Sequence, residues 1–494
     1  MTQAASFFDS GSQPLWSAAD IAAVTQGTVH GSWVASGISI DSRTVVTGDL
    51  FIAIRGDNTD GHRYVEQALK NGAVAAIVDQ DMGAVPADKL VRVADTFKAL
   101  EDIGRASRTR SAAKIIGITG SVGKTGTKEM LGHAFSALGQ THYSEKSLNN
   151  HWGVPLSLAR MHAGCDYGIF EMGMNHAGEI KKLTAMVKPH VAIITTVAPA
   201  HIEHFADGTT GIARAKAEIF SSMDVHGIAV INRDMAEFDV VEKAARGVGL
   251  HKIFTFGVHE KADARLKDCL VARNGTRIDA CIMGEDITFT LKDAGPHHAM
   301  NALAVLLAVK LIGGDMQTAA HVLREMEPMA GRGRRELIDI GDPENPVTLI
   351  DESYNASPTA MQAAFKVMAL IDPGRGGRRI AILGDMYELG EKSANLHRDL
   401  ALPLKAAGID LVYTCGTLMK NLYEALPEQN RGAHRDESPE LAKIVPDVLA
   451  PGDVVLVKGS RGGGDKPRMQ VIVEALRAIP NNKNVANAAH KKGS

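Results

Sequence analysis

The chain has 494 residues, of which 45% are hydrophobic and 22% are charged, a composition typical of a globular protein rather than a disordered one. Its length exceeds what one hydrophobic core supports and predicts about two to four domains. The formal net charge of −3 gives no general attraction to nucleic acid or to an anionic membrane, so we expect no nucleic-acid partner.

The first block of the chain, up to about Ser111, contains short strand-like runs such as Leu50–Ile54 and Val74–Val78 between turns rich in Gly and Asp. Met1–Trp16 has no basic region followed by an apolar core, so we expect no signal peptide. We interpret the charged stretch Arg105–Ser111 as a linker to the next block.

The second block alternates apolar strands with helical patterns. A hairpin is predicted around Asn274-Gly275, and a helix over His298–Leu311. The candidate strands before them are Ile115–Ile118, Tyr167–Phe170, Val191–Ile194 and Ile228–Ile231. Continuous apolar strands of this kind indicate a parallel sheet covered on both faces.

The third block begins near Gly331, and its strand candidates all run into polar or Gly-containing loops. They are Val347–Ile350, Ile380–Leu383, Leu411–Tyr413 and Val454–Val457. This pattern indicates a doubly wound α/β domain with ligand groups at the strand ends. We therefore predict domains over residues 1–112, 113–330 and 331–480, followed by a flexible tail over 481–494.

The cysteines are far apart and form no Cys-x-x-Cys pair, so we expect neither a zinc site nor a disulfide framework. They are Cys165, Cys269, Cys281 and Cys415. A reducing cytoplasm fits this usage best. We expect no membrane span, because no apolar run approaches the required length.

A glycine-rich loop between the strand Ile115–Ile118 and a helical pattern is the strongest single motif. It consists of Thr119, Gly120, Ser121, Val122, Gly123, Lys124, Thr125 and Gly126. Glycines let backbone N–H groups converge on phosphate oxygens, and the helix N-terminus adds partial positive charge. Lys124 would reach the β- and γ-phosphates of ATP, and the Thr125 hydroxyl would ligate Mg²⁺.

The loop departs from the standard motif, because Ile118 occupies the position six residues before the lysine, where glycine is usual. A chance Gly-Lys-Thr that opens a helix is the structural alternative. The loop alone also leaves a transferase, a GTPase and an ATP-driven motor open.

Further motifs flank the loop in a specific order. They are Ser39–Arg43, Gly48–Phe51, Asp60–His62, Asn149–Leu156, Glu171–His176, His201–Phe205, Lys216–Phe220, Asn301–Leu303, Gly331-Arg332, Asp351–Pro358, Gly384–Gly390 and Lys458–Arg461. In this order the chain resembles the Mur ligases, the ATP-dependent amide-forming enzymes of peptidoglycan precursor synthesis. It departs from the family pattern at Val122, Gly126 and Glu352, where Asn, Thr and Asp are frequent.

The resemblance implies three α/β domains. A small N-terminal domain would bind a UDP-sugar-peptide, a central P-loop ATPase-type domain with a parallel sheet would bind ATP, and a C-terminal Rossmann-like domain would bind an incoming dipeptide. The most similar member adds D-alanyl-D-alanine to UDP-N-acetylmuramoyl-tripeptide through an acyl phosphate. It gives the UDP-muramoyl-pentapeptide, ADP and phosphate. We therefore expect a monomeric cytoplasmic ligase with ATP and two Mg²⁺ ions.

The resemblance also implies roles for individual residues. Catalysis is expected from Lys124, Glu171, His201 and Lys216. Thr125 and Glu171 would hold one Mg²⁺, and His201 with a carbamate on Lys216 would hold the second. Asn301 would contact the adenine edge, while Arg332 and Asp351 would close over the phosphates and ribose. The expected substrate contacts are Ser39, Asp41, Ser42, Arg43, Asn149 and Asn150, with Tyr354, Asn355 and Ser460 for the dipeptide.

Four of these residues could instead be ordinary parts of the fold with no role in binding or catalysis. Glu171 could be a solvated carboxylate at a strand end, His201 a loop histidine, Lys216 a solvated helix lysine and Asn301 a surface amide. For the whole protein, one alternative is a polyglutamate-adding ligase that acts on folate, against which the Asp41–Arg43 motif argues. Another is a nucleotide switch, which has no need of Lys458–Arg461. The third amino acid of the peptide, the carbamylation and the oligomeric state stay open.

Overall fold

The computed structural model describes residues 14–56, 59–144, 147–199, 202–272, 275–292, 295–461 and 468–479. Within them the chain forms three larger β-sheets, each flanked by helices, and one two-stranded pair. The predicted tail over 481–494 lies outside the described residues, as does Asn274 of the predicted hairpin turn.

The N-terminal sheet has five strands in the order β2-β7-β6-β5-β4, and β4 to β7 are parallel. Its elements are β1 (Trp16–Ser17), α1 (Ala18–Thr25), β2 (Thr28–Val29), β3 (Val34–Ala35), β4 (Gly37–Ser39), β5 (Asp49–Ile52), α2 (Val65–Lys70), β6 (Ala75–Val78), β7 (Leu90–Arg92) and α3 (Thr96–Arg110). The runs in β5 and β6 are buried throughout, as expected for parallel strands covered on both faces.

The predicted linker over Arg105–Ser111 is wrong, because α3 continues to Arg110. Its apolar side, with Ile103, packs into the N-terminal core, so the helix is amphipathic rather than solvated. Polar side chains of α3 form hydrogen bonds to main-chain carbonyls of the central domain. The Ser107 hydroxyl donates to the carbonyl of Met161 over 2.9 Å, and Arg108 Nε donates to that of Val187 over 2.8 Å.

The central sheet has nine strands in the order β16-β15-β14-β13-β12-β11-β8-β10-β9. Its elements are β8 (Lys114–Thr119), α4 (Lys124–Ser136), β9 (Thr141–Tyr143), α5 (Gly153–Ala159), β10 (Tyr167–Glu171), α6 (Glu179–Val187), β11 (Val191–Ile194), α7 (Thr209–Ala217), β12 (Ile228–Asn232), α8 (Phe238–Gly247), β13 (Lys252–Gly257), β14 (Ala264–Ala272), β15 (Gly275–Ile282), β16 (Glu285–Leu291), α9 (Pro296–Leu311) and α10 (Met316–Glu325).

The strand order of the central sheet positions the site. From β9 to β14 the strands are parallel, while β14, β15 and β16 pair antiparallel and confirm the predicted hairpin. Since β8 lies between β10 and β11, the polar residues that follow these three strands meet at one edge of the sheet.

The C-terminal sheet has six strands in the order β17-β18-β22-β19-β20-β21, parallel except for β17. Its elements are β17 (Arg334–Ile338), β18 (Val347–Glu352), α11 (Pro358–Ala369), β19 (Arg379–Gly384), α12 (Ser393–Arg398), α13 (Ala401–Ala406), β20 (Leu411–Cys415), α14 (Lys420–Ala425), β21 (Arg431–Arg435), α15 (Ser438–Val448), β22 (Val454–Lys458) and α16 (Gln470–Arg477). Because β22 lies between β18 and β19, the loops after these strands are neighbours.

The structure confirms the predicted three-domain α/β fold, and the strand predictions of all three blocks agree with it to within two residues at each end. The boundaries at 112/113 and 330/331 stay predictions. In the described part of the chain, none of the helices combines the length and the apolar character that a bilayer crossing requires.

Candidate functional site

The glycine-rich loop lies between β8 and α4, as the sequence predicts. Lys124 is the first residue of α4, and its Nζ donates to the carbonyl of Gly120 over 2.7 Å. The ammonium group therefore lies over the loop, beside the N-terminus of the helix. Burial lowers the pKa of Lys124, the Glu171 carboxylate opposes this shift, and the Arg332 charge adds to it.

A segment after β11 holds the loop in place. Thr195 Oγ1 donates to the carbonyl of Val122 over 2.6 Å. Ser121 donates its hydroxyl to the carbonyl of Ala198 over 2.9 Å, and accepts from the N–H of the same residue at 2.9 Å. A methyl group on Gly120 would overlap Thr195 Oγ1, so this close approach requires glycine.

Glu171 ends β10, next to β8, and its side chain is only 1% exposed. Oε1 accepts from Asn149 Nδ2 over 2.7 Å and from Ser147 Oγ over 3.1 Å. Oε2 is buried and has no hydrogen-bond partner among the described residues. This excludes the solvated strand-end carboxylate. Because an unpaired buried carboxylate oxygen is costly, its position beside the loop fits a hard cation.

Thr125, the other predicted ligand of that cation, is buried in the first turn of α4. Thr119, at the end of β8, also has a buried hydroxyl without a hydrogen-bond partner among the described residues. The loop, Glu171 and these hydroxyl groups therefore offer oxygen ligands at the edge where phosphates would lie.

Lys216, near the end of α7, is 2% exposed, so the solvated helix lysine is excluded. Burial, with a smaller contribution from the Lys124 charge, lowers the pKa of Lys216 well below its usual range. A neutral amine is the form that reacts with CO₂. His201, its predicted partner at the second metal, lies outside the described residues.

Asn301 lies on α9 and is 8% exposed, which excludes the surface amide. Its side chain contacts the loop: a methyl group on Gly123 would lie 2.8 Å from Asn301 Oδ1, and one on Gly126 would lie 3.4 Å from Nδ2. The structure thus brings Asn301 to the loop. Its contact with the adenine edge stays a prediction.

Arg332, two residues before β17 of the C-terminal sheet, lies close enough to the loop for its charge to lower the pKa of Lys124. Its guanidinium carbon is 4.1 Å from the centre of the Tyr354 ring. Asp351 contacts Gly331, the residue that precedes Arg332. Oδ2 of this carboxylate accepts from the N–H of Gly331 over 3.2 Å and from Arg477 Nη2 over 3.0 Å. Asp351 therefore shapes the turn that carries Arg332, and its contact with ribose stays a prediction.

The other predicted dipeptide residues surround the end of β22. Ser460 Oγ donates to the carbonyl of Ala356 over 3.2 Å and accepts from the N–H of Tyr387 over 3.2 Å, so it ties two loops together. The Asn355 side chain is exposed, and its carbonyl accepts from Lys458 Nζ over 3.1 Å. The exposed Asn355 side chain accepts a hydrogen bond from the N–H of Ala356 through Oδ1 over 2.9 Å, which leaves its Nδ2 group to contact a ligand. Ser460 holds two loops together, and its contact with the dipeptide stays a prediction.

The predicted substrate residues of the N-terminal domain form a compact turn after β4. Arg43 makes a two-pronged pair with Asp41, with Nε–Oδ1 and Nη2–Oδ2 distances of 2.9 and 2.7 Å, and its side chain is 86% exposed. Ser39 donates to the carbonyl of Asp41 over 3.0 Å. Ser42 is buried, and its carbonyl accepts from Asn71. Arg43 is the member of this turn that an exposed anion can reach.

Asn149 and Asn150, predicted as substrate contacts, have different surroundings. Asn149 binds Glu171, whereas Asn150 Oδ1 accepts from the N–H of Gly153 over 2.9 Å at the start of α5. The sequence predicts no role for Thr195, and it places Arg461 in the Lys458–Arg461 motif without a role of its own. In the structure Arg461 Nη1 donates to the Tyr354 hydroxyl over 3.3 Å. The signal for Thr195 was its position just after the apolar strand β11, beside the strand that leads to the loop.

Family models match three consecutive parts of the chain. The Mur ligase family catalytic domain matches residues 34–114, the Mur ligase middle domain matches 118–309, and the Mur ligase glutamate ligase domain matches 333–461.

Similar proteins cover nearly the whole length. The UDP-N-acetylmuramoyl-tripeptide–D-alanyl-D-alanine ligase of Rickettsia prowazekii is 34% identical, over 86% of this chain and 92% of the relative. The enzyme of that name from Escherichia coli is 31% identical, over 92% and 96%. The crystal structure of MurF from Acinetobacter baumannii superposes with a TM-score of 0.80 at 29% identity, over 94% of this chain and 99% of that one. MurF from Thermotoga maritima, solved with ADP, gives a TM-score of 0.75 at 26% identity, over 90% and 98%.

Proposed function

The chain belongs to the Mur ligase family, and we propose that it joins D-alanyl-D-alanine to UDP-N-acetylmuramoyl-tripeptide while ATP is converted to ADP and phosphate. The observation that carries the proposal is the convergence of Lys124, Glu171 and Arg332 on one loop. Lys124 and Glu171 lie on elements of the central sheet, whereas Arg332 lies two residues before the first strand of the C-terminal sheet. Relatives that share nearly the whole chain carry the name of this activity.

The reaction makes an amide from a carboxylate, which is a poor electrophile with a poor leaving group. The γ-phosphoryl group of ATP passes to the tripeptide carboxylate, and the resulting acyl phosphate is attacked by the uncharged amine of the dipeptide. Lys124 binds the β- and γ-phosphates and stabilises the charge that develops during transfer. Arg332 adds a second positive charge from the opposite domain. The substrate ATP thus contacts both domains, which excludes water from the acyl phosphate when they close.

Two Mg²⁺ ions are part of this proposal. Thr125 and Glu171 would hold the first, which fits the unpaired Oε2 of Glu171, and it would neutralise charge on the phosphates. Lys216 as a carbamate, with His201, would hold the second. A carbamate converts a buried cation into an anionic ligand, which agrees with the depressed pKa of Lys216.

The N-terminal domain would hold the UDP part of the substrate. The exposed Arg43 offers a planar guanidinium to a diphosphate, at present paired with Asp41. Asn150, also exposed, lies just before α5, which packs against the N-terminal core. The tripeptide carboxylate would then reach from this side to the phosphate loop.

A monomer and a cytoplasmic location complete the proposal. All four cysteines are free, which agrees with a reducing compartment. Light scattering of the purified protein would test the monomer, and cell fractionation would test the location.

Phosphate release tests the reaction directly. The protein is given ATP, Mg²⁺, UDP-N-acetylmuramoyl-tripeptide and D-alanyl-D-alanine, and each substrate is then omitted in turn. We expect phosphate only when both are present, and we expect Lys124→Ala to abolish it. Hydrolysis that is indifferent to both substrates would favour a nucleotide switch, and near-normal turnover by Lys124→Ala would overturn the role of the loop.

A further inference from the structure

Tyr354 of the C-terminal domain is contacted by two arginines. The guanidinium carbon of Arg332 lies 4.1 Å from the centre of the ring, and that of Arg461 lies 5.5 Å from it. Arg461 Nη1 also donates to the Tyr354 hydroxyl over 3.3 Å. Arg332 follows the link from the central domain, and Arg461 follows β22, so the ring joins two separate segments.

Neither guanidinium has a carboxylate partner within the described segments of the chain. Two other arginines of this domain are paired with carboxylates: Arg378 with Asp453 at 2.7 Å, and Arg477 with Asp351 at 3.0 Å. Two guanidinium groups that contact one ring repel each other when no anion is nearby, and an anionic ligand beside that ring relieves the repulsion. The Tyr354 ring, which both contact, therefore marks an anion-binding position.

The two arginines differ in what they face. Arg332 is the one whose charge lowers the pKa of Lys124, so it lies towards the phosphate loop. Arg461 is exposed at the carboxyl end of β22, one residue after Ser460. Asn355, with its exposed side chain, follows Tyr354 on the neighbouring strand end. Arg461 thus lies on the side of the ring where an incoming substrate meets the C-terminal domain.

We propose that Arg461, with the Tyr354 hydroxyl, binds the terminal carboxylate of the incoming dipeptide. This inference rests on the proposed function. The dipeptide amine must be uncharged to attack, but its carboxylate stays charged and needs a cation in a closing cleft. A guanidinium matches a carboxylate with two parallel hydrogen bonds.

The size of the dipeptide supports this assignment. Two extended residues span at most about 7 Å, so the carboxylate anchor must lie close to the phosphate-binding groups. The guanidinium carbons of Arg332 and Arg461 lie 4.1 and 5.5 Å from the centre of the same ring, so they are within about 10 Å of each other. A dipeptide together with the hydrogen bonds at its two ends can span that separation. One dipeptide could therefore bind Arg461 through its carboxylate while its amine reaches the acyl phosphate beside Arg332.

Substrate analogues test the proposal on the full-length protein. Steady-state rates are measured with D-alanyl-D-alanine and with D-alanyl-D-alaninamide, which lacks the terminal charge. The variants are Arg461→Gln, Arg461→Lys and the control Arg375→Gln, which removes an exposed arginine before β19, at the opposite end of the sheet. Thermal melting confirms that each variant is folded.

We expect Arg461→Gln to raise the KM for D-alanyl-D-alanine by at least about tenfold, with the KM for ATP unchanged. It should also lose the preference of the wild type for the free acid over the amide. Arg461→Lys should restore part of that preference, because it keeps the charge but not the fork. Arg375→Gln should behave like the wild type.

Three results would overturn the proposal. An unchanged KM for the dipeptide in Arg461→Gln would do so, as would retained discrimination against the amide. A rise confined to the KM for ATP would assign Arg461 to a nucleotide phosphate instead. Failure of the proposed function is distinct, because the wild type itself would then release no phosphate in response to the dipeptide.

Discussion

Asn149 donates a hydrogen bond of 2.7 Å to Glu171 Oε1, while the other oxygen of the same carboxylate is buried without a partner in the described structure. The amide therefore fixes the rotation of the carboxylate and leaves Oε2 available beside the phosphate loop. Residues that orient a metal ligand in this way affect metal affinity without touching the metal.

Removing this amide should weaken Mg²⁺ use. We expect Asn149→Ala to raise the Mg²⁺ concentration for half-maximal ADP release by about tenfold or more. A titration of Mg²⁺ at saturating ATP measures it. Asn430→Ala is the control, because its amide donates to the carbonyls of Ile409 and Asp410 beside β20, in the C-terminal domain. An unchanged Mg²⁺ requirement in Asn149→Ala would contradict a metal at Glu171.

The loop should not tolerate a side chain at Gly120. A methyl group there would overlap Thr195 Oγ1, whose bond to the carbonyl of Val122 holds the loop. We expect Gly120→Ala to weaken ATP binding by about tenfold or more, measured by calorimetric titration, because displaced N–H groups no longer converge on the phosphates. Gly247→Ala, where a methyl group meets nothing within 4 Å, is the matched control and should bind ATP normally. Equal affinities would show that the close approach is not required.

Lys216 should react with CO₂. Its burial favours the neutral amine, which is the nucleophile in carbamate formation. In ¹³C-labelled bicarbonate we expect one protein carbamate resonance in the ¹³C NMR spectrum of the wild type, and its loss in Lys216→Met. Lys182→Met, which removes an exposed lysine on α6, should retain the resonance. A wild-type spectrum without this signal would remove Lys216 from the proposed metal ligands.

Acid should destabilise the contact between the central and C-terminal domains. Burial lowers the pKa of His297 to about 3 and that of His298 to about 4, at the start of α9. Their rings face the Glu352–Lys458 pair and Arg335 of the C-terminal domain. Below the usual value of 6.5 the unfolded chain takes up protons that the folded protein excludes, so stability falls as the pH drops from 6.5 towards 4.

Melting temperatures at several pH values in this range would measure the effect. The double variant His297→Gln/His298→Gln should lose less stability on acidification than the wild type, whatever its stability at neutral pH. His226→Gln, which replaces an exposed histidine, should follow the wild type. If the double variant loses as much stability on acidification as the wild type, titratable groups other than His297 and His298 cause the acid sensitivity.

Much of the fold could be predicted from the sequence because its strands are continuous apolar runs. Val191–Ile194 was predicted with the bounds that the structure has, since a buried parallel strand carries its signal in its own residues. The prediction of a linker over Arg105–Ser111 is wrong because the charges of this region resemble those of a solvated segment. The carbonyl that Arg108 binds lies 79 residues further along the chain, and no local pattern reveals such a partner.

In the candidate site, too, local motifs were predictable from the sequence, whereas contacts between residues distant in sequence were not. Lys124 and its loop were predictable, because one motif carries glycine, lysine and helix start together. The contact of Arg461 with Tyr354 joins residues 107 positions apart and depends on the order of β18 and β22 in the sheet. The motifs that contain Tyr354 and Arg461 predict that each residue lies near a ligand. Spacing along the sequence does not predict the contact between the two side chains.

The bonds that fasten α3 and its neighbours to the central domain end mainly on main-chain carbonyls. Trp16 Nε1 donates to the carbonyl of Ala159, Ser107 to that of Met161, and Arg108 to those of Val187 and Lys188. Every amino acid supplies a carbonyl, so the acceptor positions can change identity during evolution without loss of these bonds. The donors Trp16, Ser107 and Arg108 have no such freedom. Arg160, just after α5, donates in the opposite direction, to the carbonyl of Ile38 over 2.6 Å. On both sides of this seam, sequence change should therefore be restricted at the donors and freer at the carbonyl acceptors.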